Sequence, residues 1–418
     1  MKHFIKIFTL IWLFASLNGA QAQHSYKLVV EGFDWGPAVN KVILSLDQTT
    51  TEVNAADFTV NATRKLESVD QPIQPAQGPR EVLSAYVSDE NGNRVDEGSN
   101  VTLVLAVGPR QQIASPFQYV RGSGNLWVDY QLSITDGNQT WDQFTGKVMP
   151  LVDQFDLTGK FTSGDISLTY ASFTPKKKEG KSPLVIWLHG GGEGGTDTTV
   201  PLLGNRAANY ASEEIQQYFG GAYVLAPQTP TRWMDSGEGT TRGERDDIYF
   251  EALKGLFDDF TAKHPDIDTD RIYVGGCSNG GYMSLKLLVE YPEYFAAGYI
   301  SALAYRAQNL TDEQVQDIKD IPMWFIHSKD DSTTVASNTV IPVYEKLKAA
   351  GAPNVHLTLY DHVVDITNVY GGENYYYPGH WSWIYSHANK SQTDYDGRPV
   401  TVNGVPVTIM QWLALQSK

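Results

Sequence analysis

A serine flanked by glycines is the residue of this chain whose surroundings best suit nucleophilic chemistry. Ser278 lies in the run GCSNG, which matches the pattern G-x-S-x-G, directly after a predicted strand over 271–275 and directly before a predicted helix. Such a corner strains the serine backbone, and the flanking glycines let strand and helix approach without Cβ clashes. We therefore predict Ser278 as the nucleophile. Cys277 is the alternative, but it stands at the variable position of the motif, where a buried thiol packs as a small hydrophobic residue.

A glycine-rich loop upstream could stabilise the negative charge that nucleophilic attack creates. Residues 189–195 read HGGGEGG and follow a predicted buried strand. In loops of this type one backbone N–H points at the developing oxyanion, and the residue after the nucleophile, here Asn279, supplies a second N–H. We predict Gly191 as the first donor, with Gly192 as the near alternative.

The same loop does not fit a nucleotide site. Its glycines depart from the dinucleotide pattern G-x-G-x-x-G with an acidic residue about 20 positions on, and no Walker lysine follows. The sequence contains no H-E-x-x-H run either, so we expect neither a cofactor nor a metal. The polar loop residues His189 and Glu193 are predicted to brace the loop rather than to act on a substrate.

An acid and a base follow the nucleophile in the order that this chemistry requires. A predicted strand over 322–328 is followed by Asp331, four residues after His327, and we predict Asp331 as the acid, with Asp330 as the alternative. His380 stands in a Pro-Gly loop near the chain end, where a base can reach both nucleophile and leaving group. His387, in a segment expected to be helical, is the reserve. The acid would hold the imidazole tautomer and stabilise the imidazolium.

Two patterns of predicted elements divide the chain. Short strands with Asn-Gly and Asp-Gly turns fill 26–148, which favours a β-sandwich of immunoglobulin-like size, whereas strands and helices alternate after residue 182, which indicates a mostly parallel sheet covered by helices. Between them, 150–170 carries two Gly-centred breaks and leads into a solvated lysine-rich turn, PKKKEGKSP. We predict an immunoglobulin-like domain over 23–150 and an α/β-hydrolase catalytic domain over 151–418.

The bulk properties of the chain limit its location and partners. Residues 1–22 combine early lysines, a short apolar run and an Ala-Gln-Ala site, which predicts a signal peptide and a secreted or periplasmic protein without a membrane anchor. The formal net charge of −16 opposes binding to nucleic acid and to anionic membrane surfaces. The single cysteine rules out an internal disulfide, so stability must come from packing.

The chain resembles secreted bacterial esterases that are related to prolyl oligopeptidase and polyhydroxybutyrate depolymerase and carry an immunoglobulin-like domain before the hydrolase domain. The matching segments are WLHGGGEGG, VLAPQTP followed by Trp233, GGCSNGG, IHSKDD and PGHWSW. The resemblance implies an N-terminal domain that assists assembly or shields the active site, and ester substrates with small or medium acyl groups. Trp233 and Trp381 are candidates for the acyl or alcohol pocket, with ordinary core packing as an equal alternative.

The leading functional hypothesis is hydrolysis of carboxylic esters through an acyl-enzyme. The expected substrates are small-molecule or polymer-linked esters, including feruloyl or acetyl groups on polysaccharide and polyesters. A serine peptidase of the prolyl oligopeptidase type is the first alternative, although the sequence contains no propeller repeat that would admit only oligopeptides. A noncatalytic glycan-binding protein is the second alternative.

Overall fold

The computed structural model describes residues 24–67, 71–176 and 180–418. The predicted signal peptide, residues 1–22, lies outside the described residues, and so do residues 177–179 of the lysine-rich turn.

The N-terminal region consists of two β-sheets packed face to face and a separate hairpin. One sheet has the strand order β11-β1-β2-β6-β5 and the other β10-β9-β3-β4, while β7 and β8 pair only with each other. The sheets pack through alternate residues of their strands, because successive side chains point to opposite faces of a sheet. In β3, Val60 and Ala62 are buried between exposed neighbours and contribute to the shared core. The strands are β1 (Ser25–Phe33), β2 (Gly36–Thr50), β3 (Thr59–Lys65), β4 (Gln77–Arg80), β5 (Val82–Ser88), β6 (Gly98–Leu105), β7 (Phe117–Val120), β8 (Gly124–Trp127), β9 (Asp129–Thr135), β10 (Thr140–Trp141) and β11 (Gln143–Val148).

The C-terminal region is built on an eight-stranded sheet with the order β12-β13-β15-β14-β16-β17-β18-β19. The six strands from β15 to β19 in this order run parallel, so their carboxyl ends meet at one edge. They are almost continuously apolar because both faces of the sheet are covered. The strands are β12 (Asp156–Ser163), β13 (Ile166–Phe173), β14 (Ser182–Leu188), β15 (Tyr223–Gln228), β16 (Ile267–Cys277), β17 (Ala297–Ser301), β18 (Met323–Ser328) and β19 (Val355–Tyr360), with the short pairs β20 (Val363–Val364) and β21 (Tyr376–Tyr377), and β22 (Thr401–Val402) and β23 (Val405–Pro406).

Helices pack on both faces of this sheet. Helices α3 to α6 contribute to the core on one face, and α1, α2, α7 and α8 contribute to the core on the other. The second core is continuous with that of the N-terminal sandwich. The helices are α1 (Thr199–Gly204), α2 (Glu213–Phe219), α3 (Phe250–Lys263), α4 (Asn279–Glu290), α5 (Asp312–Ile318), α6 (Val340–Ala349), α7 (Trp383–His387) and α8 (Ile409–Ala414).

The stretch between the two predicted regions differs from the sequence-based expectation. Its two glycines mark a β-hairpin rather than breaks: Gly164 has φ +58° in the turn between β12 and β13, and Gly159 faces the ring of Tyr170, which leaves no room for a Cβ. Both strands extend the eight-stranded sheet at its edge, with β13 antiparallel to β15.

The two regions contact each other through polar bonds as well as through the shared core. Asp34, in the turn after β1, forms an ion pair with Arg206 at 2.6 Å across the boundary. The indole Nε1–H of Trp127, in the β7–β8 hairpin, donates to Thr199 Oγ1 at 3.0 Å, at the beginning of α1. The hairpin therefore lies against the C-terminal region.

Candidate active site

Ser278 occupies a tight corner between β16 and α4. Its backbone has φ +54° and ψ −109°, a conformation that a non-glycine residue adopts only where the surroundings enforce it. Gly276 and Gly280 cannot carry a Cβ, because it would meet backbone atoms of Leu188 at both positions. The glycines thus let β14, β16 and α4 crowd together while the serine hydroxyl stays partly accessible. Cys277 is fully buried, and burial raises the pKa of its thiol well above the ordinary value.

Three of the predicted side chains lie within hydrogen-bonding distance of one another. His380 Nε2 is 2.9 Å from Ser278 Oγ, and His380 Nδ1 is 2.9 Å from Asp331 Oδ2. The residues are far apart in sequence but follow β16, β18 and β21, and the carboxyl ends of β16 and β18 share one sheet edge. Such a chain of contacts lets an imidazole take a proton from the serine while the carboxylate fixes its orientation.

Asp331 is a buried carboxylate with many donors. Its Oδ1 accepts from the backbone N–H groups of Thr333 at 2.8 Å and Thr334 at 2.9 Å, and its Oδ2 accepts from the Thr334 hydroxyl at 2.7 Å. Burial alone would raise the pKa of Asp331, but the bonds from His327 and His380, with the Thr334 N–H, hold it well below its usual range. Asp331 is therefore ionised, as its predicted orienting role requires.

The neighbouring carboxylate, Asp330, has a separate set of partners. Its Oδ1 accepts from the hydroxyl of Ser328 at 2.7 Å, and its Oδ2 pairs with Nδ1 of His362 at 2.8 Å. The Ser328 hydroxyl also lies 2.7 Å from the carbonyl of Gly379, next to His380. Asp330 thus supports the loop that carries His380.

His387, the reserve base, is a core residue. It is 1% exposed and packs edge-on against Trp187 and Tyr210. Neither ring nitrogen has a hydrogen-bond partner in the described part of the chain, and burial lowers its pKa to about 3. The imidazole next to Ser278 is that of His380.

The glycine-rich loop after β14 begins with an internal brace. His189 Nε2 accepts from the Thr229 N–H at 3.3 Å, so the proton sits on Nδ1, which donates to the Gly190 carbonyl at 2.6 Å. Burial lowers the pKa of His189 to about 4 and keeps the ring neutral. This histidine fixes the loop and does not face the nucleophile's hydroxyl.

The predicted oxyanion donors lie on two elements that converge. A Cβ at Gly191 would stand 3.7 Å from Asn279 Nδ2, so the loop and the beginning of α4 are in contact. The N–H groups of Gly191 and Gly192 donate to no acceptor among the residues that the structure describes. Asn279 opens α4, and the first N–H groups of a helix have no partner within the helix. These groups are thus available to an oxyanion.

A residue that the sequence analysis missed holds this loop from the N-terminal region. The Asn125 backbone N–H donates to the Gly192 carbonyl at 2.6 Å, and its Nδ2 donates to Glu193 Oε1 at 2.7 Å. Glu193 is also fixed through its carbonyl, which accepts from Gln228 Nε2 at 2.9 Å. Burial raises the pKa of the Glu193 carboxyl to about 7, against bonds from the Asn125 and Asn205 side chains.

A cavity of about 880 Å³ opens in front of Ser278. Residues of both regions line it. The N-terminal contribution includes aromatic rings from the β1–β2 turn and the β7–β8 hairpin. The principal lining residues are Trp35, Phe117, Tyr119, Asn125, Gly191, Ser278, His380, Trp381 and Trp383.

The two tryptophans predicted for the pocket have different positions. Trp381 lines the cavity next to His380, packed against Tyr377 at a ring distance of 5.9 Å. Trp233 is 0% exposed, and its ring packs against that of His189 in the glycine-rich loop, 4.8 Å away and tilted by 40°. The pocket prediction for Trp233 is therefore corrected: the ring is core, as the alternative had it.

The described residues contain no group of three or more His, Cys, Asp or Glu side chains that could hold a metal ion. No helix in the described part of the chain is long and apolar enough to cross a membrane.

Two family models match the chain. Residues 25–149 match the esterase Ig-like N-terminal domain, and residues 245–310, which include Ser278, match the prolyl oligopeptidase family. The chain thus combines an Ig-like domain of the esterase type with an α/β-hydrolase domain, which confirms the domain combination that the resemblance implied. The architecture confirms the predicted fold class.

A solved structure and a protein sequence are similar to this chain. The structure of a thermostable esterase superposes with a TM-score of 0.73 at 22% identity, covering 94% of this chain and 100% of that one, and this likeness concerns the fold. A poly(3-hydroxyalkanoate) depolymerase C of Paucimonas lemoignei is 28% identical over 130 residues, which span 29% of this chain and 28% of the depolymerase. Together with the family matches, they support a serine ester hydrolase.

Proposed function

We propose that this α/β hydrolase is a serine esterase that cleaves carboxylic esters through an acyl-enzyme on Ser278. The observation that carries the proposal is the contact chain from Ser278 Oγ to His380 Nε2 and from His380 Nδ1 to Asp331, each step 2.9 Å long. Nucleophile and base at this separation are ready for proton transfer without rearrangement.

The proposed reaction has two halves. As Ser278 Oγ attacks the ester carbonyl, its proton moves to His380 Nε2, and the N–H groups of Gly191 and Asn279 bind the developing oxyanion. The intermediate collapses when His380 donates that proton to the leaving alcohol oxygen. A water molecule then attacks the acyl-enzyme, loses its proton to His380, and releases the acid as the proton returns to Ser278. Asp331 stays ionised throughout.

The cavity supports an ester with a bulky part on one side. Beyond Trp381 and Trp35, the main cavity adjoins a second space of about 170 Å³, lined by Tyr375, Tyr377 and Gln112. A ring on either the acyl or the alcohol side would fit such aromatic walls. We therefore propose polymer-linked esters, such as feruloyl or acetyl groups on polysaccharide or polyesters, as natural targets. Residues 1–22 support export of the enzyme to meet them.

The peptidase alternative rests on the prolyl oligopeptidase match over 245–310. It differs from the esterase in the leaving group, since an amide nitrogen must be protonated before it departs. Rates on p-nitrophenyl acetate and butyrate, compared with rates on aminoacyl p-nitroanilides, separate the two functions. Amide turnover above ester turnover would contradict the esterase proposal.

The residue test uses Ser278→Ala in the purified chain. We expect kcat on p-nitrophenyl acetate to fall by a factor on the order of 10⁴ or more, because the covalent route is lost. Cys277→Ala is the control, since its thiol is buried next to the nucleophile and should leave most of the activity in place. Unchanged hydrolysis by Ser278→Ala would reject this active site.

A further inference from the structure

The oxyanion loop contains a run of glycines, so its own sequence does not restrict it to one backbone conformation. Gly190, Gly191 and Gly192 follow one another, and glycine permits backbone conformations that other residues avoid. A rotated peptide in such a run would turn a carbonyl oxygen, instead of an N–H, towards the oxyanion. Something must therefore select one conformation.

Most of the bonds that fix the loop come from the C-terminal region. Gly190 N–H donates to Asn205 Oδ1 at 3.0 Å, and the Gly190 carbonyl accepts from His189. These bonds fix the peptides on either side of Gly190. The Gly190 carbonyl also accepts from the Glu193 N–H at 3.4 Å, which leaves the Gly192 carbonyl to another partner.

The Gly192 carbonyl accepts from Asn125 alone among the residues that the structure describes. The Asn125 N–H binds the Gly192 carbonyl at 2.6 Å, and its side-chain amide binds Glu193 Oε1 at 2.7 Å, so one residue contacts both the Gly192 backbone and the Glu193 side chain. A Cβ at Gly192 would stand 3.3 Å from Asn125 Nδ2, which shows how closely the two segments approach.

The hairpin that carries Asn125 is itself anchored. Trp127 donates from its indole to Thr199 Oγ1 at 3.0 Å, and its ring contacts Phe117 edge-on at 4.8 Å and Lys147 Nζ at 3.8 Å. These contacts join β7 and β8 to each other and to the beginning of α1. Asn125 is thus presented on a fixed support.

We propose that Asn125 is a positioning residue for the oxyanion hole, so that the Ig-like domain takes part in catalysis by holding the Gly192–Glu193 peptide. The inference rests on the proposed hydrolase function of Ser278. Asn125 touches no reacting atom in this role. It acts through the loop: with the Gly190 carbonyl bound by His189 on one side, a fixed Gly192 carbonyl limits rotation of the Gly191–Gly192 peptide between them, which carries the Gly192 N–H.

The test exchanges donor and acceptor between Asn125 and Glu193. Asn125→Asp leaves two carboxyl groups facing each other, and we expect kcat on p-nitrophenyl acetate to fall by about 10- to 100-fold with little change in KM, since a small misplacement of catalytic groups can cost about 100-fold. Glu193→Gln alone keeps an oxygen for the Asn125 amide. The double variant restores one donor and one acceptor, and we expect it to recover most of the lost kcat.

The pH profile is a second readout of the same contact. At low pH a protonated Glu193 can donate to the carboxylate of the Asn125→Asp variant, so the ratio of variant to wild-type kcat should fall as pH rises through about 7. The titratable group facing Glu193 from β16 is Cys277, whose pKa is raised by burial and which stays a thiol across this range. The other groups around Glu193 are the amides of Asn125 and Asn205 and the backbone of Gly190.

Three controls distinguish a loss of loop positioning from an effect of added charge, from misfolding and from a failure of the proposed esterase function. Gln118→Glu adds the same charge to the same hairpin, but Gln118 bonds only locally to Tyr119, so its kcat should stay within about twofold of wild type. Circular dichroism and thermal melting establish folding, and Asn125→Ala supplies a neutral variant if the acidic one does not fold. The rate at which a fluorophosphonate labels Ser278 reports on the hole without any ester substrate.

The outcomes are distinct. Wild-type kcat and labelling rate in folded Asn125→Asp, or additive losses in the double variant, would overturn the positioning role while the esterase proposal stands. Labelling of Ser278 without ester turnover in the wild type would instead remove the esterase proposal, and the labelling rates of the Asn125 variants would still decide the inference.

Discussion

The two halves of the proposed active site each contain a buried carboxyl group, and the two groups differ in charge state. Asp331, in the half that orients the base, has a pKa held well below its ordinary value. Glu193, in the half that carries the oxyanion loop, has a pKa raised to about 7. Both side chains are almost inaccessible, so burial alone does not decide the outcome.

The difference lies in the donors. Asp331 receives two backbone N–H groups, a hydroxyl and two imidazoles, whereas Glu193 is bound mainly by neutral amides. Several strong donors offset the desolvation of a carboxylate, and a few amides do not. One half is therefore built around a fixed charge, and the other around a group that can exist with or without its proton at neutral pH.

The largest expected effect tests the charged half. Asp331→Asn keeps the shape of the acid but removes its charge. We expect kcat on short p-nitrophenyl esters to fall by a factor on the order of 10⁴, because the variant neither orients the imidazole of His380 nor stabilises the imidazolium that forms. Steady-state kinetics on the folded variant measure it. Asp330→Asn is the matched control, since that carboxyl bonds Ser328 and His362, and a loss there equal to that of Asp331→Asn would reverse the assignment of the acid.

The second prediction tests the half with the raised pKa through folding stability. Because the Glu193 carboxyl titrates near 4.5 when unfolded and near 7 when folded, the folded state binds more protons between these values, and its stability falls as pH rises through this window. Glu193→Gln removes that dependence. We expect the free energy of unfolding of the wild type, relative to the variant, to fall by about 2 to 3 kcal/mol from pH 4.5 to pH 7.

Urea unfolding of both proteins at a series of pH values measures this difference. Asp331 contributes in the opposite direction, because its folded pKa is lowered: its contribution is present above the unfolded value of 3.8 and is lost as pH falls below it. It is common to both proteins and cancels in the comparison. Parallel curves of unfolding free energy against pH for wild type and Glu193→Gln would show that folding does not raise the pKa of the Glu193 carboxyl.

The two halves also differ in how far the sequence predicts them. The corner around Ser278 is encoded by neighbours within two residues, and the acid and base follow in a fixed order along a regular fold, so Asp331 and His380 could be selected by position. The loop glycines were recognisable for the same reason. The contact between Asn125 and Gly192 joins segments that are unrelated in sequence and carries no local pattern, so no reading of either segment could reveal it.

The same distinction explains the errors. Trp233 was a pocket candidate because a large aromatic ring near a motif looks the same in sequence whether it faces a cavity or a core. Gly159 looked like a break because its reason, the ring of Tyr170 on the paired strand, becomes visible only with the register of β12 and β13. Local sequence predicts where chemistry can occur, and tertiary contacts decide which surfaces surround it.

The smallest expected effect tests whether the N-terminal hairpin must approach the loop as closely as it does. Gly124 and Gly122 both have positive φ, +83° and +92°, so an added methyl strains the backbone at either position by about 1 kcal/mol. Only at Gly124 would the Cβ also overlap the Gly192 carbonyl, since nothing lies within 4 Å at Gly122.

We therefore expect Gly124→Ala to lower kcat by about 10-fold, because the loop must move, and Gly122→Ala to keep it near the wild-type value. Gly124→Ala should also lose more stability than Gly122→Ala because of the overlap, so kcat is compared well below both melting temperatures, where each variant is folded. Equal kcat in the two folded variants would mean that the close approach of the hairpin is not needed to position the loop.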